Sequence, residues 1–417
     1  MMAVFTLSWA VILTAAAAFA PGFASTFSTP HLTYRIPATV QNESAHARFE
    51  VDTPGGILGI QSRQSLDAPM LDSINSSVFD WWYFDAVSLD DPRESLVLTF
   101  FTATADAFPF LDSTQESVLI AYAWASFRNG SSWAGYLPAT LATVDIGGEG
   151  EADGNVNSGM WKDTGFRWNA SKEDLSAYEI LVDSPELDVK GKLSFTKPPP
   201  HLPCGIKSDT TPLQIAPHLG WVNLVPDAVG SVDVTIQGTQ LKFEGAAYHD
   251  KNWSDRNFTE SVRSWYWGHG RLGAYSIVWF SYLAINDPTN TTYVSSFVAR
   301  DGEILVDACD VSILTVRPTG SPNTTGSRYP PYVGDIPDGF KLDFVLEENK
   351  RLRVNVSTET KIAGDGEYYM RWTGSITGEM VEVEMGMGSS SKSVIRESSL
   401  TGVAVFEQFH MLEPGSS

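Results

Sequence analysis

The chain has 417 residues, of which 12% are aromatic and 19% charged, and its formal net charge is -22 at pH 7. So acidic a surface excludes nucleic acid and anionic membrane as partners, because both would repel it. The length allows two domains of ordinary size, and 13 Trp exceed what core packing requires, which points to an aromatic-lined cavity.

In chain order, the first element is an apolar run from Ala3 to Ala20, followed by Pro21-Gly22-Phe23-Ala24-Ser25. Small residues at its end predict a secretory signal peptide over residues 1–24, cleaved after Ala24. The lack of Lys and Arg before the run departs from that pattern. An anchoring helix is the rival, which the Ala-rich composition and the terminal Pro-Gly disfavour. No later segment is long and apolar enough to span a bilayer as a helix.

Nine Asn head Asn-X-Ser/Thr triplets: Asn42, Asn75, Asn129, Asn169, Asn252, Asn257, Asn290, Asn323 and Asn355. Chance would give about two or three. Signal and triplets together predict a glycoprotein of the secretory pathway, secreted or held in a vesicular lumen. In such an oxidising compartment Cys204 and Cys309 are candidates for one long-range disulfide. Two cysteines are too few for a disulfide scaffold, so the core must hold the fold.

The next element is Phe79-Asp80-Trp81-Trp82-Tyr83-Phe84-Asp85. As a strand it places Phe79, Trp81, Tyr83 and Asp85 on one face and Asp80, Trp82 and Phe84 on the other. Each face carries a carboxylate among rings. An unpaired buried carboxylate is costly, so either the acids serve a pocket, or they lie at the solvated ends of a core strand. Leu96–Phe101 and Val118–Trp124 read as paired strands, and residues 179–182 and 187–195 as a hairpin. Lys197–Pro203 is a stiff Pro-rich connector. Residues 232–236 and 241–244 flank a hairpin turn at 237–239. Further strands are expected at 275–284, 293–299, 311–317, 340–347, 351–357, 367–374 and 379–385, with a long loop from Ser321 to Pro331. Period-two patterning dominates, and no amphipathic helix of three turns appears. The fold class is therefore all-β. Two closed or nearly closed lipocalin-like β-barrel domains fit best, an N-terminal domain over 25–244 and a C-terminal one over 245–417. A pair of immunoglobulin-like sandwiches is the rival, without the Cys…Trp…Cys pattern.

Two more clusters accompany the first. In Tyr248-His249-Asp250-Lys251-Asn252-Trp253, strand alternation puts Tyr248, Asp250 and Asn252 on one face and His249, Lys251 and Trp253 on the other. Trp265-Tyr266-Trp267-Gly268-His269 puts Trp265, Trp267 and His269 together. If the three clusters converge, they form a cavity of indole and phenol walls holding acids, an imidazole and an amide. Trp81, Trp82, Asp85, Trp253, Trp265 and Trp267 are then substrate-binding candidates. Asp80, Tyr83, Tyr248, Asp250 and Asn252 are candidates for polarising a substrate, and His249, Asp250 and His269 for moving a proton. Against this, each His taken singly fits a satisfied structural histidine better than a catalyst, Asp250 and Asn252 fit the cap of a turn, and a glycan on Asn252 would put that segment on the surface. Metal ligation by His249, Asp250 and His269 lacks any supporting spacing. Asp80 with Asp250 as a glycosidase pair is a minor reading, and no motif supports a serine-hydrolase elbow or a nucleotide cofactor.

Asp80-Trp81-Trp82-Tyr83-Phe84-Asp85, Gly159-Met160-Trp161-Lys162-Asp163 and Tyr248-His249-Asp250-Lys251-Asn252-Trp253 resemble motifs of the hydroxyneurosporene synthase/AttH-like superfamily. Within it the layout is similar to the fungal lipocalin-like Diels-Alderases from about residue 70 onward. The resemblance implies two lipocalin-like domains with a hydrophobic polyene, polyketide or terpenoid held between them, and no metal or organic cofactor. It implies stereoselective cycloaddition, as in Diels-Alderases and hetero-Diels-Alderases, coupled to dehydration in some members. Hydration or dehydration of a terpenoid or carotenoid-like substrate is the alternative. Decalin-forming members carry Glu where Asp80 stands and often lack the Tyr248–Trp253 string, which places that string nearer the hydratase branch. A secreted carrier of a hydrophobic metabolite would use the same cavity, but has no use for acids and a histidine among the rings.

Overall fold

The computed structural model describes residues 31–41, 44–52, 63–147, 156–171, 175–196, 204, 210–285, 287–321, 325–385 and 392–413. The expected signal peptide, the Lys197–Pro203 connector and the triplets at Asn42 and Asn323 lie outside them. Among the described residues the regular structure is almost entirely antiparallel strand, with helix confined to short turns such as Phe258–Ser261.

The strands form two large curled sheets, one of 13 strands and one of nine. Every strand of each sheet pairs antiparallel with its neighbours, so hairpin and meander connections suffice. In the first sheet Phe79–Ser88 lies between Thr239–Ser254 and Ser95–Ala103, with Leu119–Ser126 beyond. In the second sheet Val262–Leu272 lies between Tyr275–Ala284 and Lys392–His410, with Tyr369–Met385 beyond. The hairpin expected over 232–244 forms, turning at Gln237 and Gly238, both at positive φ.

The first sheet gives way to the second between Ser254 and Val262. The expected division after residue 244 is therefore too early. Thr239–Ser254 is one continuous strand, because its C-terminal half pairs with Phe79–Ser88 in the first sheet. The strands expected at 367–374 and 379–385 also form a single 17-residue strand, Tyr369–Met385, with a bulge near Gly378.

Three apolar clusters fill the molecule. One lies inside the curl of the first sheet and includes Trp82, Phe84, Trp161, Trp168, Tyr178 and Trp253. A second lies inside the other sheet, around Tyr266, Trp279, Phe340, Phe344, Trp372 and Phe406. The third joins the two sheets and contains Phe79, Trp81, Tyr83, Trp265, Trp267 and Phe409. Both curls are thus packed with their own side chains, and a cavity opens between them. Close approach depends on small residues: a Cβ at Gly268 would collide with the Trp279 ring. Cys204 and Cys309 are joined as a disulfide across 105 residues of chain, with Cys309 just after the second-sheet strand Glu303–Ala308.

Candidate active site

Strand alternation decides which side chains meet. The odd positions Trp81, Tyr83 and Asp85 and the even positions Tyr248, Asp250 and Asn252 point from the first sheet toward the second. Register then sets them in rungs across the strands. Asn252, Trp81 and Phe101 share one rung; Asp250, Tyr83, Thr99 and Tyr122 share the next; Tyr248, Asp85, Val97 and Trp124 share the third. The second sheet answers with Trp265, Phe409 and Tyr369 in one rung, and Trp267, Glu407 and Arg371 in the next. The rungs face each other: Trp81 and Trp265 lie 6.5 Å apart between ring centres, and Tyr83 and Trp267 5.3 Å.

Between them is a cavity of about 400 Å³, lined by Trp81, Tyr83, Asp250, Asn252, Trp265 and Trp267 among the sequence candidates. Its rim is Phe108–Leu111 on one side and Gly364-Asp365 on the other. Phe108 packs on Trp81 of the first sheet at 4.9 Å, and Phe110 on Phe409 of the second at 5.0 Å, so this segment roofs the gap between the sheets.

Asp250 is the central polar group. Its Oδ2 accepts hydrogen bonds from Trp221 Nε1 and the Tyr248 hydroxyl, both at 2.8 Å. Its Oδ1 accepts from Asn252 Nδ2 at 2.9 Å. Burial pushes its carboxyl up to about 8; the Trp221 and Tyr248 hydrogen bonds oppose this and the Glu407 and Asp85 charges add to it. A carboxyl in such a site is neutral at pH 7 and can donate a proton. With both lone pairs of Oδ2 engaged, the proton belongs on Oδ1.

Tyr248 and Asp85 lie one layer behind. Tyr248 receives the Trp267 indole N–H at 3.1 Å and stacks on the His269 ring at 4.5 Å. Asp85 accepts from the Tyr83 hydroxyl at 2.6 Å and from His269 Nε2 at 2.8 Å. Burial holds the phenols of Tyr83 and Tyr248 well above their ordinary range, so both stay protonated. Neither Asp80 nor Asp85 is at a solvated strand end: both are at most 1% exposed.

Asp80, Trp82, His249 and Trp253 point the other way, into the interior of the first sheet, and do not line the cavity. There Asp80 pairs with Lys251 at 3.1 Å, and Lys251 also donates to the Ala68 carbonyl at 2.7 Å and sits 3.6 Å over the Trp82 ring. Trp82 Nε1 donates to Asp67 O, and Trp253 Nε1 to Arg48 O, both at 2.8 Å. His249 stacks on Phe84 and reaches Asp67 at 3.2 Å. These contacts fasten the segment around residues 64–71 against the sheet. Asp80 and Asp250 thus face opposite sides of the first sheet, and His249 is turned into that sheet's interior while His269, on the second sheet, meets Asp85 between the two, so neither the glycosidase pair nor the three-residue metal set assembles. Asn252 is only 3% exposed with Nδ2 engaged, which leaves no room for a glycan there and corrects that expectation.

The cavity also holds residues that the sequence reading did not single out. Arg371 Nε and Nη2 donate to Glu407 Oε2 at 3.0 and 2.7 Å. The guanidinium lies 4.7 Å over the Tyr83 ring and 5.3 Å over the Trp124 ring. Thr99, Tyr122, Trp124 and Tyr369 complete the wall. Arg371 alternates with Tyr369 in Tyr369-Met370-Arg371-Trp372, a charge on an otherwise aromatic face, and that was the available signal. Glu407 lies in Lys392–His410, a strand absent from the sequence expectations.

Residues 43–351 match the model of the Diels-Alderase-like family. The quinolone epoxide rearrangement protein asqO of Emericella nidulans is 31% identical over 309 residues, 73% of this chain and 80% of the relative. The quinolone epoxide rearrangement protein penF of Penicillium thymicola is 31% identical over 339 residues, 80% of this chain and 89% of the relative. The Diels-Alderase pyiF of Pyricularia grisea is 25% identical over 329 residues, 76% and 72% of the two chains. The fold is that of CghA, whose crystal structure with Sch210972 superposes with a TM-score of 0.63 at 16% identity, over 91% of this chain and 96% of that one. The all-β, lipocalin-like architecture expected from the sequence is therefore the observed one. The chain belongs to the Diels-Alderase-like family, enzymes of cyclase type that act in fungal secondary metabolism.

Proposed function

We propose that this enzyme isomerises a neutral, oxygenated hydrophobic metabolite by acid-triggered ring opening and rearrangement, with Asp250 as the proton donor. The observation that carries this reading is the Asp250 carboxyl, pushed up to about 8 by burial, on the wall of an aromatic cavity. A purely pericyclic step transfers no proton and uses a neutral acid only as a hydrogen-bond donor. Opening a strained cyclic ether does need one. Asp250 Oδ1–H protonates the ether oxygen as the adjacent C–O bond breaks. A neighbouring hydride or carbon group then migrates with its electron pair to the cationic carbon. The carbonyl that forms releases the oxygen-bound proton, which returns to Asp250, so the product is an isomer of the substrate. The indole faces of Trp81, Trp265 and Trp267 stabilise the passing cation. Two relatives at 31% identity bear the name of an epoxide rearrangement protein, which favours the same chemistry.

Stereoselective cycloaddition is the second reading, favoured by the flat aromatic walls on both sides of the cavity and by the Diels-Alderases among the relatives. Deleting the gene in its host and comparing metabolites by mass spectrometry separates the readings. Accumulation of a precursor of the product's own mass, with no rescue by an Asp250→Asn copy, is the expected result. Full rescue by that copy would point to cycloaddition without an acid. A precursor heavier by one water would point to dehydration.

The secretory route is part of the same proposal. Asn75, Asn129, Asn169, Asn257, Asn290 and Asn355 are half-buried or exposed and lie away from the cavity, and the Cys204–Cys309 bond suits an oxidising lumen. Treating the native protein with an amidase that removes N-glycans should raise its gel mobility. Unchanged mobility would remove this route.

A further inference from the structure

Asn252 stands two residues after Asp250 on the strand Thr239–Ser254, on the same face, and is 3% exposed. Its Nδ2 donates to Asp250 Oδ1 at 2.9 Å, while its own Oδ1 is shielded from solvent and has no partner. Its neighbours across the rung are Trp221 and Trp81, and the Trp221 N–H is already taken by Asp250 Oδ2. Buried polar atoms nearly always find partners, so an orphaned amide oxygen beside a buried acid needs a reason.

The reason emerges when both protonation states of Asp250 are counted against both orientations of the amide. The Oδ1 and Nδ2 ends of an amide have nearly the same shape, and half a turn about χ2 exchanges them. With Asp250 ionised, Nδ2–H on Oδ1 is a charge-assisted hydrogen bond, and turning the amide would set two lone-pair oxygens against each other. With Asp250 neutral the preference reverses. Trp221 and Tyr248 fill Oδ2, so the proton sits on Oδ1. The orientation with Nδ2 toward Asp250 then leaves the acid's O–H and the amide oxygen both unpaired. The turned amide joins them, with Asp250 Oδ1–H donating to Asn252 Oδ1.

We propose that Asn252 is a positioning residue whose amide turns with the proton. Its oxygen holds the Asp250 Oδ1–H in the resting enzyme, and its nitrogen donates to the carboxylate once the proton has passed to substrate. Asn252 carries no proton itself and changes no covalent bond. The proposal rests on the reading of Asp250 as proton donor, and explains how the acid is held and how the charge it acquires is stabilised without water.

Other groups set the charge that Asp250 feels. Tyr248 faces it from its own strand, Tyr83 and Asp85 from the adjacent strand Phe79–Ser88, and Trp221 from Leu219–Ile236. Glu407 and Arg371 face it from the second sheet, with His269 one layer behind on Asp85. Burial and the charges of Glu407 and Asp85 favour the neutral acid, the Trp221 and Tyr248 hydrogen bonds oppose them, and Arg371 is engaged by Glu407. Among the described residues only Asn252 bonds Asp250 Oδ1.

Neutron diffraction from deuterium-exchanged crystals of the unaltered protein reads both groups directly. At pH 6, two units below the Asp250 value of about 8, a deuterium should lie between Asp250 Oδ1 and Asn252 Oδ1, with the amide nitrogen turned away. At pH 10, two units above, Asp250 should carry none and the Asn252 amide nitrogen should face it. One amide orientation at both pH values, with deuterium on Asp250 at pH 6, would overturn the role of Asn252 and leave the acid standing. No deuterium on Asp250 at pH 6 would overturn the acid, and the role of Asn252 with it. Infrared spectroscopy in solution gives a second reading. The carbonyl stretch of neutral Asp250, identified by its loss in Asp250→Asn, should move to higher frequency in Asn252→Leu, where the O–H has no acceptor. An unmoved band would show that Asn252 does not hold that proton.

Discussion

The Asp85 carboxylate, on the first sheet, receives the Nε2–H of His269, on the second, at 2.8 Å. The same carboxylate accepts the Tyr83 hydroxyl at 2.6 Å. One acid therefore ties the two curled sheets together and aims a phenol of the cavity wall.

Neither Asp85 nor His269 reaches the cavity, so their contribution is positional. His269→Gln should lower stability by about 2 kcal/mol, the usual cost of disturbing a buried hydrogen bond to a charged group. Turnover by the folded fraction should fall less than tenfold. Urea melts and rates measured on the same preparation decide it. Intact stability with turnover reduced a hundredfold would make His269 a participant in the chemistry.

The raised pKa of Asp250 sets a pH dependence with a definite sign. The neutral carboxyl is the acid, so turnover at saturating substrate should be level below about pH 8 and decline tenfold per unit above it. Asp250→Asn should be slow throughout, without that limb. Stability moves the same way. A carboxyl whose folded pKa lies above its ordinary 3.8 contributes stability that is complete below about pH 4 and is lost as pH rises through about 8. The unaltered chain should therefore lose ground to Asp250→Asn between those limits, by on the order of 1 kcal/mol per pH unit. A constant difference across that range would mean that Asp250 is ionised in the folded protein.

Strand periodicity made the faces of the cavity legible. Alternation alone separated Trp81 and Tyr83 from Trp82, and Tyr248, Asp250 and Asn252 from Lys251 and Trp253, and the two sheets keep those faces. It could not say which face looks outward to the second sheet and which inward to the first sheet's own core, because both are equally aromatic. Asp80, His249 and Trp253 thus read as site residues although they line the interior, where Lys251, Asp67 and backbone carbonyls satisfy them. Arg371 and Glu407 escaped for another reason. The two residues are 36 apart in sequence, on consecutive strands, and become a pair only through the register of Tyr369–Met385 with Lys392–His410. No local pattern encodes that neighbour. Thr99 was hidden in a strand that reads as core throughout.

The disulfide closes a loop of 105 residues. Restricting the unfolded chain over such a loop is worth about 4–5 kcal/mol in the chain-entropy description. Cys204→Ser with Cys309→Ser should lower the melting temperature by several degrees under non-reducing conditions. Adding reductant should lower the unaltered chain to the same value and leave the double variant where it is. A melting temperature indifferent to both would show the bond to be thermodynamically idle.

Asp80 and Lys251 give the sharpest separation of structure from chemistry. Both are almost fully buried, 3.1 Å apart, and turned away from the cavity. Burial lowers the Lys251 pKa to about 8 and raises that of Asp80; the attraction between the two charges resists both shifts. Removing one partner leaves the other charged or forced to neutralise, so Asp80→Ala should cost about 3–5 kcal/mol. Replacing both, as Asp80→Leu with Lys251→Met, removes the buried charges together and should recover much of that loss. In either variant the folded fraction should turn over at close to the normal rate. A double-variant stability cycle read alongside specific activity tests the assignment. Loss of activity by more than a hundredfold in a chain that still melts normally would move Asp80 from the fold into the reaction.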